Sequence, residues 1–226
     1  KDKPYVEQIK NKTVGYDNGK KVFEISIHRV LQQNYQHVLF AKNITDGAVF
    51  NETGYRVIRN LRGDSGRINT NIKSIVVTEN ISALIEPTTS TQSISVKAGK
   101  FKYTHQKKIA KFNHDTELTV KKVRIYSAQF SYSNDYELLS FNHGLTLIDK
   151  NSQTTADNAL LNIPKSIIIA TKNIMTTYAK KESNNDSDQI KELLKYQTII
   201  TSQKLQINFK DNEHAIATYN QNVLAK

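Results

Sequence analysis

Ser65 lies in Gly63-Asp64-Ser65-Gly66, a setting of small residues in which a serine can attack a carbonyl if a histidine takes its proton and an aspartate orients that histidine. His28 and His37 precede it, but neither stands in a sequence context that marks a catalytic base. The same four residues are the composition of a turn, which is by far the stronger expectation. They overlap Arg62-Gly63-Asp64, a cell-adhesion tripeptide that arises freely by chance. His114 and His143 form a second candidate. They close two similar segments, Phe112-Asn113-His114 and Phe141-Asn142-His143, and on adjacent rungs of a sheet they would lie about 5 Å apart, near enough to share an ion or touch a phosphate. No carboxylate pattern completes a metal set around them, so a polar residue at a strand end is the simpler expectation.

The rest of the chain narrows the chemistry by exclusion. It contains no cysteine, which removes disulfide frameworks, thiol nucleophiles and thiolate zinc sites together. No P-loop, Rossmann glycine set, H-E-x-x-H motif or carboxylate dyad occurs, and no nucleic-acid module is legible. A non-enzymatic protein with no catalytic residue, metal or cofactor is therefore expected. The net charge is +11, from 32 Lys and Arg against 21 Asp and Glu, which suits an anionic partner such as a phosphorylated lipid. Basic doublets, Lys20-Lys21, Lys107-Lys108, Lys121-Lys122 and Lys180-Lys181, fall where turns or rims are expected.

These groups have to be positioned by strands. Val22 to Ile27, Tyr35 to Phe40, Tyr55 to Ile58, Ile72 to Val77 and Ile81 to Ile85 are short alternating segments rich in Val, Ile, Phe and Tyr. Between them stand Asp17-Asn18-Gly19, Thr45-Asp46-Gly47 and Arg62 to Gly66, expected as turns of a hairpin meander. Pro87 and the threonines after it mark an interruption. One short segment has helical spacing, Ile190 with Leu193 and Leu194, after a polar run that can cap it. Helix should therefore make up less than roughly one fifth of the chain.

The most informative feature is a repeat. Phe101-Lys102-Tyr103, eight residues and Phe112-Asn113-His114 are matched, 29 residues later, by Phe130-Ser131-Tyr132, eight residues and Phe141-Asn142-His143. Ala98 and Ala128 precede the two copies, and apolar strands follow them. A looser third copy starts at Ile199. Within each unit apolar residues alternate with Lys, Ser, Thr or Asn, so one face of every strand is apolar. A period of this size in a β chain points to stacked units that pack on their neighbours.

The stretch Gly54-Tyr55-Arg56-Val57-Ile58 through Leu61-Arg62-Gly63, the paired units Ala98 to Val120 and Ala128 to Leu147, and the closing Leu205-x-Ile207 to Ala217-x-Tyr219-Asn220-Gln221-Asn222-Val223 resemble the OstA/LptA/LptC-like family of periplasmic lipopolysaccharide-transport proteins. The resemblance implies an all-β, elongated, open β-jellyroll of stacked antiparallel strands with one short helical insertion. It implies that the apolar inner face holds acyl chains, with Phe101, Tyr103, Phe112, Phe130, Tyr132 and Phe141 lining the groove; filling a closed core is the alternative for these six. It further implies lipopolysaccharide or a similar glycolipid as partner, edge-strand pairing with other bridge proteins or with a second copy, no nucleic acid, and a periplasmic location. An export or inner-membrane anchor segment is expected to have preceded Lys1. The domain plan is an N-terminal extension over 1–20, an N-terminal β region over 21–86, and a repeat-containing jellyroll over 92–226 with an insertion near 183–195. The contrasting expectation is a secreted or surface β-rich adhesion or structural protein.

Overall fold

The computed structural model describes residues 5–33, 37–88, 93–178, 198–208 and 216–225. In chain order the strands are β1 (Tyr5–Asp17), β2 (Lys20–Gln33), β3 (Val38–Phe50), β4 (Arg56–Asn69), β5 (Ser74–Ile85), β6 (Ile94–Thr104), β7 (Ile109–Val120), β8 (Val123–Ser133), β9 (Leu138–Phe141), β10 (Leu145–Ile148), β11 (Ser152–Ala156), β12 (Asn158–Asn162), β13 (Ile167–Tyr178), β14 (Thr198–Asn208), β15 (Ile216–Asn220) and β16 (Leu224–Ala225). The one helical element among the described residues is a 3₁₀ turn, His105–Lys107. The expected helix around Ile190 lies outside the described residues.

The sixteen strands of the described residues belong to one antiparallel sheet, and consecutive strands pair except at β9–β10, β11–β12 and β15–β16. β9 and β10 both lie against β8, and on their far side β12 pairs with β9 and β11 with β10. β9 and β10 are one long strand interrupted in the middle, and so are β11 and β12. The chain is thus an up-and-down meander whose simplicity follows from its short connections. β5 and β6 pair from Ile85↔Ile94 to Ser74↔Thr104, so the regions expected over 21–86 and 92–226 are consecutive parts of the same sheet. Within the extension expected over 1–20, Tyr5–Asp17 is the edge strand β1, in register with β2 from Tyr5↔Gln33 to Asp17↔Lys20. Its strand character was hidden because much of it faces water, which leaves Lys, Gln, Glu and Asn on both faces.

The sheet is folded in half across its strands. β4 alone has 14 residues, about 45 Å when extended at 3.3 Å each. In a flat meander the turns at one end of the strands would stand that far from those at the other. Yet Asp17, at the β1–β2 end, contacts Lys73 and His105, which lie at the opposite end in the β4–β5 and β6–β7 connections. Glu52 likewise meets Lys108, and Thr88 meets Glu137. The strands must therefore bend near their midpoints and bring the two sets of turns together.

The bends are written in the backbone. Glu79-Asn80, His114-Asp115 and Lys172-Asn173 are pairs of residues with positive φ inside β5, β7 and β13, and the ladder shifts register at each of them. Opposite them stand residues without bulk. A Cβ at Gly99 would lie 2.8 Å from the Cβ of His114, and one at Gly66 would lie 2.8 Å from the carbonyl oxygen of Val76, so only glycine fits where the bent strands cross. Side chains brace the corners: Asn80 Nδ2 donates to Asp64 Oδ2 at 2.6 Å, and Asn173 Nδ2 to Asp157 Oδ2 at 2.8 Å. Thr45-Asp46-Gly47 and Arg62 to Gly66, expected as turns, are therefore inside β3 and β4 at this spine. A strand that kinks needs the same small and polar residues as a chain that reverses.

Candidate functional site

The apolar faces of both halves meet in the interior of the fold, where the repeat becomes a ladder. Phe101 is directly opposite Phe112, and Phe112 opposite Phe130. Ring centroids are 5.0 Å apart for Phe101 and Phe112, 4.7 Å for the stacked pair Phe112 and Phe130, and 5.6 Å for Phe130 and Phe141. Aromatic pairs at these separations attract beyond their area burial, by about 0.5–1.5 kcal/mol each. The row continues on both sides: Val30, Ala41, Gly66 and Val77 lead to Phe101, and Ala159, Ala170 and Leu205 follow Phe141. A 29-residue period produces this because one unit is two strands and their turns, so equivalent residues land on every second strand.

A second row runs beside it through Ile75, Tyr103, Ala110, Tyr132, Leu139 and Leu161. The alanine between the two tyrosines gives their rings room. All six aromatic residues expected to line a groove are thus brought together, and none is more than 3% exposed. Such burial is what a packed core and a closed cleft both require. Lys102 and Ser131 stand on the opposite face.

The tyrosine row faces the mouth, where the two sets of turns meet. Burial raises the pKa of both hydroxyls well above the ordinary tyrosine value, with the nearby Asp135 adding to this at Tyr103 and Glu137 at Tyr132. Tyr103 Oη is 3.3 Å from His105 Nδ1, whereas the hydroxyl of Tyr132 is buried with no hydrogen-bond partner. Asn134, two residues further on, also buries an unpaired Oδ1. From ladder to rim the lining passes from phenyl rings through hydroxyls to charge.

The rim itself is polar. Asp17 Oδ1 accepts from Lys73 Nζ at 2.5 Å, and Asp17 Oδ2 is 3.2 Å from His105 Nε2. Lys108 donates to Glu52 across the mouth and to Asp135 on its own side at 3.1 Å. Further along, the hydroxyl of Thr88 donates to Glu137 Oε1 at 2.5 Å. Hydrogen bonds from Lys73 and then His105 hold the Asp17 carboxyl below its usual pKa, and the bond from Lys108 does the same for Glu52. Both shifts are downward, so the ionised contacts persist above the ordinary carboxylate range and are lost as the pH falls through the lowered values. A pocket of about 320 Å³ opens among Asp17, Glu52, Lys73, His105, Gln106 and Lys108.

The other sequence candidates separate. Ser65 Oγ bonds the Thr78 hydroxyl at 2.7 Å, and Asp64 bonds Asn80; both serve the spine. Arg62-Gly63-Asp64 is in mid-strand, not at a loop tip. His114 and His143 are not on adjacent rungs: β8 lies between β7 and the β9–β10 strand. His143 instead borders an open groove of about 670 Å³ along the spine, with Asp115, Glu117, Ser127 and Asp157. Among the described residues no group of three or more His, Asp and Glu side chains could hold a metal ion, and no helix is long and apolar enough to cross a membrane. The sequence did not point to Glu52, Lys73 or His105. Its signals at the mouth are the Asp17-Asn18-Gly19 turn and the Lys107-Lys108 doublet, expected at a turn or rim.

No family model and no curated protein matches the chain. Among solved structures it is similar to LptH of Pseudomonas aeruginosa, described as the LptA homologous periplasmic component of the conserved lipopolysaccharide transport device. The TM-score is 0.33 and the identity 7%, over 61% of this chain and 80% of that one.

Proposed function

We propose that the protein is a non-enzymatic carrier of an amphiphilic glycolipid, of the lipopolysaccharide type, within the bacterial envelope. The observation that carries this is the continuous apolar row enclosed between the two halves of a bent sheet, with Phe101, Phe112, Phe130 and Phe141 at its centre. Parting the halves at the mouth exposes the row, and acyl chains take the place of the opposite half. A 12-carbon chain moved into such a surface gains about 10 kcal/mol at about 0.8 kcal/mol per CH₂, enough to hold a lipid in water without covalent chemistry. Sugars and phosphates remain at the rim.

The test uses the alternation of side chains. A small diazirine-bearing residue in place of Phe112 or Phe141 is expected to capture bound lipopolysaccharide on irradiation, whereas one at Lys102 or Ser131 on the other face is not. Equal capture from both faces, or none from either, removes the physical basis of the carrier.

A bridge role needs ends that can be extended. Among the described residues β1 pairs with β2 alone, and β15 and β16 with β14 alone. Large exposed apolar side chains gather at both edges: Val6, Ile9 and Tyr16 on β1, Ile216 and Leu224 on β15 and β16, and Val223 between those two strands. Unpaired strands of this kind add a strand from another chain. Deleting Leu205 to Lys226 would be a poor test, since Leu205 is fully buried on β14. We expect Ile216→Lys with Leu224→Lys to weaken concentration-dependent association, read by sedimentation velocity, while leaving the fold intact. A wild-type protein that stays monomeric at high concentration would count against the bridge.

A further inference from the structure

Three contacts across the mouth join a carboxylate on one set of turns to a lysine or histidine on the other. Asp17 and Glu52 come from the β1–β2 and β3–β4 ends, and Lys73, His105 and Lys108 from the β4–β5 and β6–β7 connections. No ladder links these strands at this point, so the contacts exist only while the halves are closed. The carboxylate of Asp17 has one oxygen on Lys73 and the other against His105. Two oxygens of one anion, each held by a nitrogen side chain from a different turn, is also how a phosphate is bound. The adjoining pocket of about 320 Å³ has the volume of about ten waters at about 30 Å³ each.

We propose that Lys73, His105 and Lys108 form a phosphate subsite at the mouth, occupied by Asp17 and Glu52 in the closed form and taken over by the phosphomonoester of an amphiphile. This rests on the carrier function proposed above. A phosphate that displaces the two carboxylates removes the contacts between the rims, so headgroup recognition and opening are one event. An uncharged lipid has to part the same pairs and leaves the lysines with nothing in exchange. The pairs are only half-buried and so are weakened by water, which keeps the exchange within reach of a single headgroup.

Two probes with the same chain decide it: oleoyl lysophosphatidic acid and monooleoylglycerol, titrated below their aggregation thresholds into the full chain. The phosphorylated lipid is expected to bind at least about tenfold more tightly, and Lys73→Gln with Lys108→Gln to weaken it by about that factor, while monooleoylglycerol, which no longer has those pairs to part, binds as tightly as before or more so. Asp17→Asn with Glu52→Gln, which vacates the subsite, should strengthen lysophosphatidic acid binding. Circular dichroism confirms that each variant is folded. Equal loss of both lipids, or no loss of either, overturns the phosphate subsite and leaves the carrier standing. Weaker lysophosphatidic acid binding by the carboxylate variant overturns the exchange. Inorganic phosphate that binds as tightly as the lipid would make this a free-phosphate site and overturn its coupling to lipid. Failure of both lipids to bind the unaltered protein overturns the carrier itself.

Discussion

Phe112→Asp is expected to abolish the native β signal in circular dichroism, not merely to alter binding. Phe112 is fully buried with a ring on either side, at 5.0 and 4.7 Å. Removing a buried phenyl group costs about 3–5 kcal/mol, and burying a carboxyl group without partners adds several more. Domain stabilities are about 5–15 kcal/mol in total, so the sum consumes most or all of what holds the fold. Phe112→Ala, which creates the cavity without the charge, should lower the unfolding free energy in urea by about 3–5 kcal/mol and leave a folded protein. The aspartate variant distinguishes two forms of the same interior. If it unfolds, the ladder is packed shut in the resting protein and lipid must open the sheet to reach it. If it stays folded but no longer captures lipid, the ladder is already accessible, and the closed mouth is not the resting form.

The same ladder shows what a sequence of this kind makes legible. Alternation in Ile72 to Val77 or Phe101 to Tyr103 depends on neighbours along one strand, and those segments were found. The 29-residue period depends on neighbours across strands, and it was visible because phenylalanine recurs in the same register. The spine was hidden for a physical reason. Gly63 and Gly66 admit a close crossing inside β4, yet glycine beside Asp and Ser is also what a reversing chain uses, and nothing local separates the two. β1 was missed because an edge strand in water carries little apolar alternation.

The mouth was beyond reach for a stronger reason. Asp17 and His105 are 88 positions apart, and Glu52 and Lys108 are 56 apart. Their meeting follows from the folding of the whole sheet in half, not from any pattern in the residues around them. The excess of positive charge carries a sign but no location. Bending a meander across its strands turns dispersed turn residues into two facing rims, which is how a chain without a recognisable site motif acquires a polar edge around an apolar interior.

Locking that edge should abolish lipid uptake. The chain has no cysteine, so Glu52→Cys with Lys108→Cys introduces the only thiols, at positions joined across the mouth, and a short, cleavable bis-maleimide can tie them together. Residual uptake of a fluorescent lipid should then equal the fraction of molecules left unlinked, and cleaving the linker should restore it to the level of the untreated variant. The untreated variant controls for the lost charges, and circular dichroism before and after linkage controls for the fold. The linker spans one point near the N-terminal end of the row, so the result also reports how the halves part. Complete loss means that the two rims separate as rigid bodies hinged at the spine, where Gly66 and Gly99 leave no room for a side chain. Uptake unaffected by the linker would mean that lipid passes between the unpaired edges at β1 or β15, along the row instead of across the rim, and the ion pairs of the mouth would then be structural only.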